Sequence, residues 1–159
     1  MRLRALSSLF AGLWLVGCGA PPVAEKAEAK KPSLPDLPTP IAEDVKFPKP
    51  NRKSIEVVPA KLLGYEFLGG GNLASYEVGK QKYKLFAIRC RSAQQAGSYI
   101  FDIKSQLKNP SFVASYGGYF SEMPEGPVFV FAKGNYIGGI VGLSEQDAIQ
   151  TGKEFAARL

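Results

Sequence analysis

Hydrophobic and polar positions divide the chain into three stretches with different rhythms. Ala5 to Val16 is an apolar run broken only by Ser7, Ser8 and Gly12, and it follows the basic residues Arg2 and Arg4. Residues 19–50 show no period and hold eight of the twelve prolines, set among Ala, Lys and Glu. From about Ser54, Val, Ile, Tyr, Phe and Gly take over, and two periods alternate. Gly64–Leu68 reads as a short apolar strand before Gly69-Gly70-Gly71. Leu73–Val78 places Ala74, Tyr76 and Val78 on one face, and Gly79-Lys80 suits a hairpin turn. Lys82–Cys90 begins with Lys82 and Lys84 alternating against Tyr83 and Leu85. It ends apolar on both sides at Phe86, Ala87 and Ile88, as a central strand does.

The period then changes to that of a helix. Ser92 and Gln95 form a capping-box pattern, in which the serine oxygen accepts a hydrogen bond from an otherwise orphaned amide of the first turn. Ala96, Ile100, Ile103 and Leu107 make one stripe, Lys104 and Lys108 sit where the helix dipole favours cations, and Asn109-Pro110 ends the helix. Ser115–Phe120, Pro127–Ala132 and Tyr136–Val141 read as strands, the last two joined by a turn at Lys133-Gly134-Asn135. A second helix begins at Ser144, with Asp147 as capping partner and Leu143 as a hydrophobic staple onto Ala148. The order βββα-βββα predicts an α+β fold: a two-layer sandwich with an antiparallel sheet of about six strands and two helices on one face.

The N-terminal run is about a dozen residues long, short of the roughly twenty that span a bilayer. Behind two arginines it reads as a secretory signal. Leu15-Val16-Gly17-Cys18 resembles the lipobox of bacterial lipoproteins; the competing reading is an ordinary signal peptide with an incidental cysteine. The resemblance implies cleavage before Cys18, a thioether-linked diacylglycerol on its sulfur and acylation of the new N-terminus. Two or more acyl chains give stable anchoring, where one gives marginal binding. Gly19 rather than Asp after the cysteine implies the outer membrane, facing the periplasm, in a two-membrane bacterium. The expected organisation is therefore residues 1–17 as signal peptide, residues 18–53 as lipidated Cys18 with a flexible linker, and residues 54–159 as one globular domain. Composition drives the linker reading, because so polar and proline-rich a stretch buries little apolar surface.

The chain has 20 Lys and Arg, 14 Asp and Glu and no histidine. Such a balance invites a nucleic-acid reading. The excess, however, is spread: residues 19–53 hold seven basic and five acidic groups, and residues 54–159 hold eleven and nine. Dilute charge and a secretory signal argue against a nucleic-acid partner. With Cys18 taken by lipid, Cys90 has no disulfide partner in the chain. Flanking Arg89 and Arg91 favour a reactive thiolate, whereas alternation along the strand puts Cys90 on the face of Phe86 and Ile88, which favours an inert buried thiol.

No residue pattern marks an active site. Without histidine the commonest acid–base group is missing, and no spacing singles out a Ser-Lys or paired-carboxylate arrangement. Glu122 and Glu125 flank a Met-Pro turn and read as solvated carboxylates, and Asp102 reads as an exposed helix position. Gly69-Gly70-Gly71 lacks the Gly-Lys-Ser/Thr of a phosphate loop and reads as a flexible turn. No metal site or cofactor is implied. Eleven strand aromatics, Tyr65 and Phe67 through Tyr136, exceed what one helical layer covers. One sheet face is thus expected either as an exposed platform or beneath a segment such as Ile55–Val58. Gly117-Gly118 and Gly138-Gly139 would let a ligand approach the backbone of that platform.

The stretches Ala93–Asp102 (AQQAGSYIFD) and Phe131–Tyr136 resemble an uncharacterised family of bacterial envelope proteins over about Leu62–Leu159. That resemblance implies an envelope protein and assigns no functional residue. The expected function is that of a membrane-anchored, non-catalytic interaction domain with a protein partner in the envelope. The alternatives are a small-ligand or lipid carrier, and an enzyme working without histidine.

Overall fold

The computed structural model describes residues 34–159, which lie within one compact unit. Seven antiparallel strands form a single open sheet: β1 (Arg52–Val58), β2 (Gly71–Val78), β3 (Gln81–Arg89), β4 (Ser111–Val113), β5 (Gly118–Met123), β6 (Gly126–Lys133) and β7 (Tyr136–Val141). Their spatial order is β1-β2-β3-β7-β6-β5-β4. Helix α1 (Ala93–Gln106) connects β3 to β4 at the far edge, and α2 (Glu145–Ala156) follows β7.

The α+β class and the antiparallel sheet match the sequence pattern, while the layer arrangement does not. Along β3, Phe86 and Ile88 pack in one core with Ala96, Ile100 and Ile103 of α1. The alternate residues Leu85 and Ala87 pack in a second core with Ala148 and Phe155 of α2. In β6, Val128 and Val130 belong to the first core, Phe129 and Phe131 to the second. The helices therefore cover opposite faces, and the domain has three layers rather than two. The central strands are apolar on both sides, so a single helical layer would leave one face in water.

Two strands differ from expectation. Gly64–Leu68 is not a strand; a single 3-10 turn spans Leu62–Gly64 and hydrogen-bonded turns continue to Leu68. Ile55–Val58, expected as a possible cover, instead lies within edge strand β1. The short β4 adds the seventh strand, and Ser115–Gly117 forms a turn with Gly117 at φ +61° before β5 begins.

Both helix starts follow their sequence signals. Ser92 Oγ accepts from the Gln95 amide at 3.1 Å, and Gln95 Oε1 accepts from the Arg91 amide at 2.7 Å. Ser144 Oγ accepts from the Asp147 amide at 3.3 Å. Leu143 and Ala148 are both buried in the second core, as a staple requires.

The largest departure concerns the proline-rich stretch. The sequence pattern assigns residues 18–53 to a flexible linker, but from Leu34 onward the chain is a strap bound to the domain. Leu37 packs against the first core and Phe47, 1% exposed, is part of the second. A proline-rich chain makes few internal hydrogen bonds, so its polar groups need partners elsewhere. The body supplies them. Asn72, buried in β2, accepts from the Glu43 amide at 3.1 Å and donates to the Ile41 carbonyl at 2.9 Å. Tyr76 Oη donates to the Pro48 carbonyl at 2.8 Å, and Tyr136 Oη to Glu43 Oε1 at 2.6 Å. At the strap's start, Arg91 and Gln95 both donate to the Asp36 carbonyl at 3.0 Å.

The triple glycine is part of this docking rather than a flexible turn. A Cβ at Gly69 would collide with Leu37, one at Gly70 with Pro40 and the Pro59 carbonyl, and one at Gly71 with the Ala87 carbonyl. Leu37 and Pro40 thus occupy space that only glycine leaves free.

Candidate functional site

Of the residues singled out by sequence, Cys18 lies outside the described residues. Cys90 is buried at 1% exposure, and burial pushes its thiol up to about 11. Arg89 and Arg91 are both exposed. Arg91 Nη2 pairs with Asp36 at 2.7 Å, so it serves the strap and not the thiol. Glu122, Glu125 and Asp102 are exposed. Among the described residues no three His, Cys, Asp or Glu side chains cluster as metal ligands. Among them, no helix is long and apolar enough to cross a membrane.

The exposed aromatic platform does not exist. Tyr76, Phe86, Phe129, Phe131 and Tyr136 are buried beneath the two helices and the strap. Gly118, Gly138 and Gly139 do not admit a ligand either, because the protein's own atoms fill the space, whereas Gly117 sits in an open turn. The Phe86 ring lies over Gly139, its partner in register across β3–β7, and Phe131 and Leu159 cover Gly138. A Cβ at Gly118 would meet the Val130 carbonyl and Phe131.

An open cleft of about 470 Å³ lies at the end of the α1-side face, and α1 contributes no residue to it. Leu73 and Ser75 of β2, Lys82 and Lys84 of β3, and Val141 of β7 line it, with Leu63 above. Lys82 and Lys84 reach it by strand alternation, since they share the face of Phe86 and Ile88. The apolar stripe of that face gives way to amines where helical cover stops. A cleft of this size and mostly apolar lining falls within the range of small-molecule sites.

Three backbone irregularities shape the cleft. Two residues of β1 oppose one of β2 between Arg52 and Ser54, a β-bulge with Lys53 as the extra residue. A bulge re-aims a side chain, and Lys53 joins the lining. Leu63 has φ 57° and ψ 17°, a left-handed conformation that costs a non-glycine residue roughly 1–2 kcal/mol. Its side chain packs against the first core, which offsets that cost. Gly142, at φ +92°, passes close to the Lys82 carbonyl and leaves the floor open beside Val141.

Glu77 and Glu125 also line the cleft, so three amines face two carboxylates. Among the described residues Lys53, Lys82 and Lys84 make no ion pair or side-chain hydrogen bond; the three ion pairs lie elsewhere. Ser75 and Lys84 are register partners across β2–β3, yet no hydrogen bond joins their side chains, and Lys84 is exposed. The arrangement offers charge and apolar surface and, among the described residues, shows no nucleophile hydrogen-bonded to a base.

Sequence reasoning noted the alternation of Lys82 and Lys84 but had no reason to connect it with Lys53 or Leu63. The bulge and the left-handed leucine carry no sequence signature. No protein-family model matches the chain, and no curated protein or solved structure shows significant similarity to it.

Proposed function

We propose that this chain is a lipoprotein of the bacterial cell envelope, anchored through Cys18, whose folded body is a non-catalytic binding module that engages its partner at the cleft between Leu63 and the lysines of β1 and β3. The observation that carries the binding reading is the convergence of three otherwise unpaired lysines on an apolar floor, held there by a bulge, a left-handed leucine and a positive-φ glycine. Backbone strain of this kind persists where the surroundings over-determine it and clusters at functional sites. The anchor rests on Leu15-Val16-Gly17-Cys18 behind a short apolar run.

The docked strap changes the geometry of such an anchor. Residues 19–33 lie between Cys18 and Leu34, the first described residue of the body. At most about 3.3–3.6 Å per residue, that stretch spans no more than roughly 50 Å. A linker running to residue 53 would reach about twice as far, and the shorter reach suits a partner nearer the membrane.

Two measurements test the proposal. Cys18→Ser is expected to leave the precursor unprocessed and free of lipid; a mature-sized, membrane-bound Cys18→Ser protein would refute the anchor. A photo-crosslinking side chain at Lys84, in the anchored protein within its own envelope, is expected to trap a specific adduct. The same group at exposed Glu145 on α2 is expected to trap none. Failure at Lys84, or equal labelling at both positions, would refute the cleft as the contact.

A further inference from the structure

We infer that the cleft takes a single-chain amphiphile bearing one negative charge, such as a fatty carboxylate, as a monomer rather than as part of a bilayer. This inference rests on the binding reading above and narrows it to a ligand class.

The charge follows from the lining. Lys53, Lys82 and Lys84 contribute three positive charges and Glu77 and Glu125 two negative ones, leaving a surplus of one. A monoanion neutralises that surplus, whereas a dianion would leave an uncompensated charge against Glu77 and Glu125. Glu77 and Lys82 are register partners, yet among the described residues they form no ion pair, so the amine stays available to a ligand. Amines on flexible stems suit a carboxylate or phosphodiester as point charges.

The apolar part follows from the floor and wall. Leu73, Val141 and the side chain of Leu63 offer hydrocarbon, and Ser75 adds a hydroxyl beside them; Tyr76 and Tyr83 also line the cleft, although both pack with the second core. Each methylene transferred from water to such a surface contributes about 0.8 kcal/mol. The volume of about 470 Å³ lies at the lower end for ligand sites and suits one slender chain. A headgroup held by the rim lysines directs that chain inward along the floor toward the α1-covered core. A bilayer surface cannot enter a concave cleft in that way.

The test uses the chain from Lys31 onward, which forms one compact unit containing both cores. Calorimetric titration with dodecanoate below its micellar concentration is expected to show one site. Dodecyltrimethylammonium, with the same chain and opposite charge, is expected to bind at least tenfold more weakly, and acetate, the headgroup without the chain, not at all. Lys82→Gln combined with Lys84→Gln changes only exposed positions and is expected to weaken dodecanoate at least tenfold without altering thermal stability. Equal binding of the cationic amphiphile, or an unchanged affinity in the double variant, would overturn the ligand class. So would binding of acetate alone, or binding to phosphatidylglycerol vesicles without binding of monomeric dodecanoate. A protein adduct at Lys84 in the envelope, together with no dodecanoate binding, would overturn this inference and leave the binding module standing. Absence of any adduct would count against the module itself.

Discussion

Replacing Phe47 by alanine discriminates most sharply between a strap and a linker. In a flexible linker that substitution is silent. In this structure Phe47 is 1% exposed, its ring centroid lies 5.3 Å from that of Phe155, and it belongs to the core beneath α2. Truncating a buried phenylalanine costs about 3–5 kcal/mol, the lost transfer free energy plus the cavity left behind. Against a typical domain stability of about 5–15 kcal/mol, such a loss is large. For a body of this size it lowers the midpoint of thermal unfolding by on the order of 10 °C. Val45, two residues earlier and 76% exposed, is the control, and Val45→Ala is expected to stay within about 0.5 kcal/mol. Urea unfolding of the two variants, followed by circular dichroism, gives the comparison. Pairing Phe47→Ala with Phe155→Ala in a double-mutant cycle is expected to show a coupling of about 0.5–1.5 kcal/mol, as for other aromatic pairs. Amide exchange adds a local readout, because the Glu43 amide donates to Asn72 only while the strap is seated. A loss below about 1 kcal/mol with unchanged protection of the Glu43 amide would refute the strap as part of the fold.

Three further outcomes are expected. Burial raises Tyr76, Tyr99 and Tyr136 from 10.0 to about 12, with the carboxylate of Glu43 adding to the rise at Tyr136, and burial raises Cys90 from 9.0 to about 11. These groups keep their protons in the folded state after the unfolded chain has lost them, so stability is intact below about pH 9 and falls between about pH 9 and pH 12. Urea midpoints that stay flat from pH 8 to pH 11.5 would refute that linkage, and the Glu43 amide should lose protection in the same window, since Tyr76 and Tyr136 hold the strap. Cys90→Ala is expected to cost stability modestly, Cys90→Asp to unfold the domain by burying an unpaired charge, and native Cys90 to resist alkylation; rapid alkylation would point to a reactive thiol. Gly139→Ala places a methyl group where the Phe86 ring lies, so it is expected to destabilise by about 1–3 kcal/mol through overpacking, and recovery in Gly139→Ala with Phe86→Leu would identify that ring as the cause.

Local signals in the sequence were sufficient for the elements that depend on them. Capping at Ser92 and Ser144, the stripe Ala96–Ile100–Ile103–Leu107, and the turns at Gly79-Lys80 and Gly134-Asn135 involve residues within a few positions of each other. Strands β2, β3, β6 and β7 were legible because alternation and apolar runs are local, and the buried setting of Cys90 followed from its place directly after β3. The layer arrangement required knowing which face each helix covers. That is decided by where α1 crosses, from β3 to the far edge at β4, and by the two-sided apolar strands between. The excess of aromatics was visible in the sequence, but its meaning was not: it signals a second covered face instead of an open one. The strap was hidden because disorder is inferred from average composition, whereas docking depends on a few anchors such as Leu37 and Phe47 meeting complementary glycines and hydrogen-bonding side chains far along the chain. The cleft was hidden for the same reason. Lys53, Leu63, Lys84 and Val141 are brought together by register, a bulge and a left-handed turn, and these arise only when the whole chain has closed around its two cores.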